Sequence, residues 1–237
     1  MQTTQTRVLV VDDDPDIRSN ISDILIDLGY EGTTAEDAKI ALQISAKKTF
    51  DIALLDFRMP GMDGATLYRR LKSMQPAMVA IMITAWASGE GIQDALDAGT
   101  WDVLRKPVEI GELLEKISDA ASAKRVLVVD DDHDFCSSLW QILNGKRFRV
   151  AIAHTEAEGI RQAIESRCEI AIVDLILGKG DGRRVIESIN RVLPGTRTIV
   201  VSGEVDGSEL GRARQSERVN LTCRKPIDMD QLFSVMN

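Results

Sequence analysis

Cysteine, histidine and aromatic residues are scarce in this chain. Its 237 residues include three cysteines, two histidines and only 4% Phe, Trp and Tyr. Cys136, Cys168 and Cys223 are isolated and odd in number, which disfavours a disulfide framework and indicates buried thiols in a reducing, cytoplasmic compartment. Two histidines are too few for a typical histidine-containing metal cluster.

Long apolar runs and an excess of positive charge are also missing. No apolar stretch approaches the roughly 20 residues that span a bilayer, and the N-terminal MQTTQTR does not have the pattern of a signal peptide. The net charge is −8, with 20 acidic and 12 basic residues in 1–123 and 17 of each in 124–237. We therefore expect a cytoplasmic protein that contacts neither membrane nor nucleic acid directly.

The chain does contain a long internal repeat. VLVVDDDPD at Val8–Asp16 returns as VLVVDDDHD at Val126–Asp134. Further polar residues recur at an offset of 118 or 119 residues. The recurring pairs are Asp12 and Asp130, Asp13 and Asp131, Asp56 and Asp174, Thr84 and Ser202, and Lys106 and Lys225. This pattern indicates a duplicated domain of ordinary size, repeat one being residues 1–123 and repeat two residues 124–237.

Each repeat alternates short apolar runs with amphipathic segments. VLVV, IALL and MVAIMI in repeat one, and VLVV, IAIV and TIVV in repeat two, are typical of strands buried on both faces. Amphipathic patterns in repeat one predict helices over Asp16–Leu28, Ala35–Ala46, Gly64–Met74 and Ile110–Ala121. The alternation predicts an α/β fold in each repeat, a doubly wound parallel sheet with helices on both faces.

The recurring polar residues follow the predicted strands. Functional groups of doubly wound sheets gather beyond the carboxyl ends of the strands, and a strand order of 2-1-3-4-5 would bring Asp12, Asp13 and Asp56 together. Like charges this close need a compensating cation, either Mg²⁺ or the ammonium of Lys106. The set predicts a phosphoryl-transfer site in which Asp56 is the nucleophile and Thr84 hydrogen-bonds a phosphoryl oxygen.

Both repeats resemble the receiver domain of two-component response regulators. That family carries an acidic pair after strand one, an acceptor Asp after strand three, Thr or Ser after strand four and Lys-Pro after strand five. The resemblance covers essentially the whole chain. It implies two tandem flavodoxin-like (βα)5 domains of strand order 2-1-3-4-5, and phosphoryl transfer with Mg²⁺ from a histidine kinase or histidine phosphotransfer protein.

The resemblance also implies a role for each motif residue. In repeat one the implied site comprises the acceptor Asp56, the metal-site acids Asp12 and Asp13, the carbonyl of Arg58, the switch hydroxyl of Thr84 and the phosphate-facing Lys106. In repeat two it comprises the acceptor Asp174, the acids Asp130 and Asp131, the carbonyl of Ile176, Ser202 and Lys225. No enzymatic activity is implied beyond self-catalysed phosphorylation and dephosphorylation.

The repeats depart from the family pattern in several places. Repeat two reads LILGKGDG, with Gly178, where repeat one reads FRMPGMDG, and this predicts a looser loop beyond the second acceptor. Val103 and Thr222 stand where many receivers have an aromatic residue three positions before the lysine. Trp86 and Glu204, two residues beyond the hydroxyls, are predicted to tune the lifetime of the phosphoryl group. We expect repeat one to be the more conventional acceptor.

Two other functions stay open at this point. Asp12 and Asp14 form an Asp-x-Asp pair that resembles the nucleophile motif of haloacid-dehalogenase-type phosphatases, although Asp14 before Pro15 has the pattern of a helix N-cap. A scaffold or dimerisation module without phosphorylation is the other alternative, and the resemblance implies a homodimer as one arrangement. The output would reach a downstream protein, or an output domain that follows Asn237 in a longer chain.

Overall fold

The computed structural model of the protein describes residues 5–85, 90–203 and 219–236. The chain divides into two compact units, Met1–Ala123 and Lys124–Asn237, which correspond to repeat one and repeat two. Trp86 and Glu204 lie outside the described residues, so the prediction that they tune phosphoryl lifetime stays a prediction.

Strands and helices alternate in repeat one as the apolar pattern predicts. The elements of repeat one are β1 (Arg7–Val11), α1 (Pro15–Asp27), β2 (Glu31–Ala35), α2 (Ala38–Ser45), β3 (Ile52–Asp56), α3 (Gly64–Met74), β4 (Val79–Thr84), α4 (Glu90–Asp97), β5 (Asp102–Arg105) and α5 (Ile110–Ser122).

Within the described residues, repeat two follows the same order with one addition, a short hairpin after its third strand. Residues 204–218, between its fourth and fifth strands, lie outside the described part of the chain. Its described elements are β6 (Arg125–Val129), α6 (His133–Gly145), β7 (Arg149–Ala153), α7 (Glu156–Ser166), β8 (Ile170–Asp174), β9 (Ile176–Leu177), β10 (Gly180–Asp181), α8 (Gly182–Val192), β11 (Arg197–Ser202), β12 (Leu221–Arg224) and α9 (Met229–Met236). Within the described parts of the chain, no helix has both the length and the apolar character needed to cross a membrane.

Each repeat builds one five-stranded parallel sheet. The strand orders are β2-β1-β3-β4-β5 and β7-β6-β8-β11-β12, and every neighbouring pair in the two sheets is parallel. Counted within each repeat, both orders are 2-1-3-4-5. The predicted fold class, two tandem flavodoxin-like sheets, is confirmed.

The sheet of repeat one is covered on both faces, which explains its continuous apolar strands. Alternate strand residues such as Leu9 and Leu55 pack with buried residues of α2, α3 and α4 on one face. Their neighbours, including Val10 and Leu54, pack with Leu25 of α1 and with buried residues of α5 on the other face. The period-two division of side chains thus fixes which helices lie on which side.

The second predicted helix begins later than the sequence pattern suggests. The amphipathic pattern places Ala35 in that helix, but Ala35 is the last residue of β2 and pairs with Val11 of β1. The helix begins at Ala38 because the carboxylate of Asp37 caps it, accepting a hydrogen bond of 2.7 Å from the backbone N–H of Ile40. The third helix has the predicted bounds, Gly64–Met74.

The loop beyond the second acceptor forms a short hairpin, and the expectation that it is looser than the loop of repeat one stays a prediction. β9 and β10 pair as an antiparallel hairpin, with Gly180 opposite Leu177. Gly178 takes the left-handed conformation (φ +57°) that this turn requires, and glycine adopts it without steric cost. Glu156 secures the hairpin from α7 by accepting a hydrogen bond of 3.0 Å from the N–H of Asp181.

Candidate functional site

Strand register places the acidic residues of repeat one side by side. Val11 of β1 lies opposite Leu55 of β3, so Asp12 and Asp56, one residue further on, meet at the same edge of the sheet. Asp56 is the last residue of β3 rather than the first beyond it. Both side chains are buried, with relative exposures of 2% and 7%. Two carboxylates are thus withdrawn from water next to each other.

Lys106 supplies a cation to this carboxylate pair. It follows β5, and its Nζ donates hydrogen bonds to Asp12 Oδ2 at 2.8 Å and to Asp56 Oδ2 at 3.0 Å. The remaining oxygens have backbone partners: Asp12 Oδ1 accepts from the N–H of Asp14 at 2.9 Å, and Asp56 Oδ1 accepts from the N–H of Arg58 at 3.4 Å. Lys106 therefore bridges Asp12 and Asp56, and its ammonium is one of the two compensating cations that the sequence predicts.

Burial and neighbouring charges have opposing effects on the pKa values at this edge of the sheet. Burial raises the pKa of Asp56 above its usual value of 3.8; Lys106 opposes the rise and the neighbouring Asp12 adds to it. For Lys106, burial alone would lower the pKa, but its hydrogen bonds and attraction to Asp12 and Asp56 outweigh burial and raise it. The lysine is therefore held in its charged form, while the ionised form of Asp56 is only partly compensated by protein groups.

Asp13 completes a group of three acids. Carboxylate oxygens of Asp12, Asp13 and Asp56 lie within 4.8 Å of one another, close enough for one ion to contact all three. Asp13 is exposed, which leaves the group open to solvent on one side. A hard divalent cation such as Mg²⁺ prefers carboxylate oxygens and retains several waters, and this half-open acidic set fits that preference. Whether the carbonyl of Arg58 adds a further ligand stays a prediction.

Asp14, the second acid of the Asp-x-Asp pair, has a structural role. It is the N-cap of α1, and its carboxylate accepts hydrogen bonds from the N–H groups of Asp16 at 2.9 Å and Ile17 at 3.3 Å. Pro15 occupies the first turn, where a missing N–H has no consequence. The sequence interpretation of Asp14 as a cap is therefore confirmed, and its carboxylate is engaged in hydrogen bonds to the first turn of α1.

The fourth strand brings the hydroxyl to the same edge. Thr84 is the last residue of β4, which lies next to β3 in the sheet, and Ile83 pairs with Asp56. Its side chain is 4% exposed. All five motif residues of repeat one thus lie at the carboxyl edge of one sheet. Asp56 ends β3, which lies between β1, the strand before Asp12 and Asp13, and β4, the strand that ends at Thr84.

Glycine allows the chain to pass closely behind the acceptor. A Cβ on Gly64, at the start of α3, would lie 2.5 Å from the carbonyl oxygen of Asp56 and 2.7 Å from Sδ of Met82. In repeat two, a Cβ on Gly182 would overlap the carbonyl oxygen of Asp174. Both contacts are closer than real side chains allow, so the helix after each acceptor strand can start there only with glycine.

Repeat two reproduces the lysine bridge. Lys225 Nζ lies 2.7 Å from Asp130 Oδ2 and 2.8 Å from Asp174 Oδ2. Asp174 Oδ1 accepts a hydrogen bond of 3.0 Å from the N–H of Ile176, and Asp130 Oδ1 accepts one of 3.0 Å from the N–H of Asp132. Burial raises the pKa of Asp130, with Lys225 opposing the rise and Asp174 adding to it. The lysine bridge therefore recurs, with the raised pKa at Asp130, the counterpart of Asp12, whereas in repeat one the raised pKa is at the acceptor Asp56.

The hydroxyl of repeat two is buried and unsatisfied. Ser202 ends β11 and is 1% exposed, and its Oγ has no hydrogen-bond partner among the described residues. Leaving a buried hydroxyl without a partner costs about 1–3 kcal/mol. Ser202 Oγ is one of several such side-chain atoms among the described residues. Its position at the acceptor edge makes Ser202 Oγ available to a bound group.

The predicted acidic triad of repeat two is not assembled as closely as that of repeat one. Within the described residues, Asp130, Asp131 and Asp174 do not form a group at the 4.8 Å spacing found in repeat one. Asp131 Oδ2 instead lies toward the hairpin turn, 3.4 Å from the place that a Cβ on Gly178 would occupy. The carboxylate of Asp131 therefore lies beside the hairpin turn, at an ordinary contact distance from the Gly178 position.

Three aromatic rings near the second site were not predicted. Phe135 lies under Lys225, whose Nζ is 4.3 Å from the ring centroid. His133 and His154 contact each other with ring centroids 3.8 Å apart, and His154 Nδ1 is 3.0 Å from the carbonyl oxygen of Asp130. A comparison of the two repeats offers one signal, because Phe135 and His133 replace Ile17 and Pro15.

The cysteines are not among the acids and lysines of either site, although the Cys136 thiol donates a hydrogen bond of 3.4 Å to the carbonyl oxygen of Asp130. All three are free and buried, as the sequence predicts. Burial raises the pKa of Cys136 and that of Cys168 to about 12, and it also raises the pKa of Cys223. Thiols held in the neutral form are poor nucleophiles and poor metal ligands.

Family comparison matches both repeats to one domain. The model of the response regulator receiver domain matches residues 8–118 and 126–237. A response regulator receiver protein of Anaeromyxobacter sp. (strain Fw109-5) is 34% identical over 198 residues, which cover 83% of this chain and 82% of that protein. These matches extend over most of the chain.

Longer relatives match one receiver-sized segment. The DNA-binding transcriptional regulator NtrC of Escherichia coli (strain K12) is 37% identical over 115 residues, 48% of this chain and 24% of NtrC. A solved receiver domain protein from Methanospirillum hungatei JF-1 is 36% identical, with a TM-score of 0.48, and covers 49% of this chain and 93% of its own. The present chain thus spans about a quarter of NtrC.

Proposed function

The chain belongs to the response regulator receiver domain family, and on that premise we propose that Asp56 and Asp174 each accept a phosphoryl group in two-component signalling. Receivers of this family are signalling phosphoacceptors rather than classical enzymes. The observation that supports the proposal most strongly is the lysine bridge, Lys106 Nζ within 3.0 Å of both Asp12 and Asp56, which repeat two reproduces with Lys225.

The proposed reaction is a displacement at phosphorus. An oxygen of the Asp56 carboxylate attacks the phosphorus atom of a phosphohistidine, an oxygen–phosphorus bond forms, and the nitrogen–phosphorus bond breaks as the histidine leaves. Lys106 donates to Asp56 Oδ2 already, so its ammonium lies where it can stabilise negative charge on the transferred group. Thr84, buried at the end of β4, would donate its hydroxyl to a phosphoryl oxygen.

Asp12, Asp13 and Asp56 would hold a Mg²⁺ ion in repeat one, and their mutual spacing of 4.8 Å or less supports this assignment. When bound, the ion neutralises charge on the carboxylates and on the transferred group. Asp130, Asp131 and Asp174 would do the same in repeat two once Asp131 turned away from Gly178. We expect weaker Mg²⁺ binding by repeat two, because its acids are less well assembled before the ion arrives.

Ser202 supports an active second site. Its buried Oγ would find in a phosphoryl oxygen the partner that it lacks among the described residues. Repeat two also retains the lysine bridge and the backbone hydrogen bond to its acceptor, from the N–H of Ile176. These features favour two acceptors over one acceptor with a relic domain.

The rival functions account for fewer of these contacts. A phosphatase of the Asp-x-Asp type would need Asp14 at the reaction centre, whereas its carboxylate caps α1. A scaffold without phosphorylation gives no reason for a charged lysine between two buried acids in both repeats. We infer that the phosphoryl donor is a histidine kinase or phosphotransfer protein in the cytoplasm, with the downstream target a separate protein or a domain of a longer chain.

Site mapping with acetyl phosphate tests the proposal. The full chain is incubated with acetyl phosphate and Mg²⁺, the acyl phosphates are trapped by borohydride reduction, and the modified residues are located by mass spectrometry. We expect label at Asp56 and Asp174, none at either residue after its replacement by Asn, and no label when Mg²⁺ is chelated. Asp23→Asn, an exposed position on α1, is the control that should leave both labels unchanged. Label at Asp12, or its absence from both proposed acceptors, would refute the assignment.

A further inference from the structure

The lysine of repeat two lies beside an aromatic ring, whereas repeat one has an aliphatic residue at the corresponding position. Lys225 Nζ lies 4.3 Å from the centroid of the Phe135 ring. The residue of repeat one at the corresponding position, with the offset of 118, is Ile17. The side chains of Lys225 and Lys106 are similarly accessible, with exposures of 21% and 23%. The two sites therefore differ in the residue beside the lysine and not in how deeply the lysine is buried.

The fold holds Phe135 firmly in this place. Asp132 caps α6 and accepts hydrogen bonds of 3.0 Å from the N–H groups of Asp134 and Phe135, which fixes the backbone of Phe135 in the first turn. The side chain is half-buried and packs against the core cluster that contains Cys136 and Leu139. Since the ring is anchored by the helix cap and by the core, it can act as a fixed support for the lysine.

We propose that Phe135 is a positioning residue of repeat two, whose ring face holds the Lys225 ammonium between Asp130 and Asp174, where it meets the incoming phosphoryl group. This inference rests on the proposed acceptor role of Asp174. A cation over an aromatic face is attracted by the negative charge of the π system whichever N–H bond points at the ring. The ammonium can therefore turn one N–H from a carboxylate to a phosphoryl oxygen while it keeps its place over the ring.

Repeat two has a particular need for a well-positioned lysine. Its three acids are less closely assembled than those of repeat one, because Asp131 turns toward Gly178. The site therefore depends more on its lysine to orient the acceptor and the phosphoryl oxygens. An ordered lysine lowers the entropy cost of reaching the productive geometry.

Nuclear magnetic resonance of the unphosphorylated full chain tests the contact itself. A ring face near Nζ shifts the resonances of the adjacent methylene protons upfield, so lysine-selective labelling should show Lys225 Cε protons displaced from the positions of exposed lysines. Phe135→Tyr should keep this displacement, and Phe135→Leu should remove it. The converse variant Ile17→Phe should create it at Lys106. An undisplaced Lys225 in the wild-type chain would overturn the proposal.

Labelling rates test the consequence. With acetyl phosphate and Mg²⁺, Phe135→Leu should slow phosphorylation of Asp174 about threefold to tenfold, the range expected from loss of a partly desolvated cation–π contact. Phe135→Tyr should restore the rate, and Asp56 in the same chain is the internal control for concentration and folding. An unchanged Asp174 rate in Phe135→Leu, in a chain whose spectrum shows repeat two folded, would contradict the positioning role.

The two experiments separate this inference from the function on which it rests. If wild-type Asp174 takes no label while the displaced Lys225 resonance disappears in Phe135→Leu, then the acceptor role of repeat two fails and the contact stands as a structural one only. If Asp174 takes label at the same rate in every Phe135 variant, then the acceptor role stands and the positioning role fails.

Discussion

At the scale of single residues, both sites depend on carboxylates that the fold keeps next to each other. Asp12 and Asp56 are nearly inaccessible to water, and among the described side chains that hydrogen-bond to their carboxylates, Lys106 carries the compensating charge. Burying like charges costs stability unless a cation compensates them, and one ammonium cannot fully neutralise three acids. The cost falls at the places where, under the proposed function, a bound metal ion would compensate the negative charge.

The raised pKa of Asp56 predicts that its charge destabilises the folded protein at neutral pH. A carboxyl group whose folded pKa lies above 3.8 binds its proton more tightly in the folded than in the unfolded chain, so stability falls as pH rises through that interval. Asp56→Asn cannot ionise, and Lys106 keeps its bond to Asp12. Without Mg²⁺ we therefore expect the variant to unfold a few degrees higher than wild type at pH 7.

Thermal unfolding at a series of pH values checks this prediction. The difference between Asp56→Asn and wild type should shrink as pH falls through the raised pKa toward 3.8, where the aspartate becomes protonated. Added Mg²⁺ should also reduce it, because an ion that binds the wild-type acids stabilises only that chain. Asp23→Asn is the exposed control and should show no difference. A lower unfolding temperature for Asp56→Asn at pH 7 would contradict the electrostatic account.

At the scale of elements, the start of the helix after each acceptor strand is the most constrained junction. Gly64 and Gly182 leave no room for a Cβ against the carbonyl groups of Asp56 and Asp174. Gly64→Ala should therefore destabilise repeat one by about 1–3 kcal/mol, since the helix or the strand end must move. Gly182→Ala should cost more than Gly64→Ala, because the overlap there is closer.

Chemical denaturation of the full chain checks these costs. Gly111→Ala, within α5, is the matched control: nothing lies within 4 Å of its Cβ position, and alanine in a helix is favoured over glycine by up to about 1 kcal/mol. The control should therefore be neutral or slightly stabilising. If Gly64→Ala were as stable as Gly111→Ala, then the backbone behind the acceptor would be less tightly packed than the structure indicates.

The elements that the sequence predicts are those with a regular pattern. Continuous apolar strands and the bounds of α3 follow from local composition, and the duplication identifies the polar residues at the strand ends. The start of α2 was misplaced because Ala35 suits a helix but is fixed in β2 by its pairing with Val11. The hairpin β9–β10 could not be predicted, because it depends on a tertiary contact from Glu156.

The same distinction applies to the sites. Asp12, Asp56, Thr84 and Lys106 could be found because four polar positions, with three kinds of side chain, recur together in repeat two. The contact of Phe135 with Lys225 joins α6 to the end of β12, two segments about 90 residues apart, and nothing in either segment alone indicates it. Nor does the sequence show that the carboxylate of Asp131 lies beside Gly178, since Gly178 reaches that place only in the folded hairpin.

At the scale of the whole molecule, the chain is two copies of one phosphoacceptor design that differ around the acceptor. Repeat one has the closely assembled acids and a prolyl loop; repeat two has a lysine supported by an aromatic ring, an unsatisfied Ser202 hydroxyl and a hairpin. Both retain the acceptor, the lysine and the strand order that joins them. Two working acceptors with different properties are the simplest function for such a chain.

The number of phosphoryl groups that one chain takes up tests this account most directly. Intact mass spectrometry after reaction with acetyl phosphate and Mg²⁺ should show species with one and with two added phosphoryl groups in the wild type. The single variants Asp56→Asn and Asp174→Asn should each gain one phosphoryl group at most, and the double variant should gain none. A wild-type chain that never exceeds one phosphoryl group, or a double variant that still gains one, would contradict it.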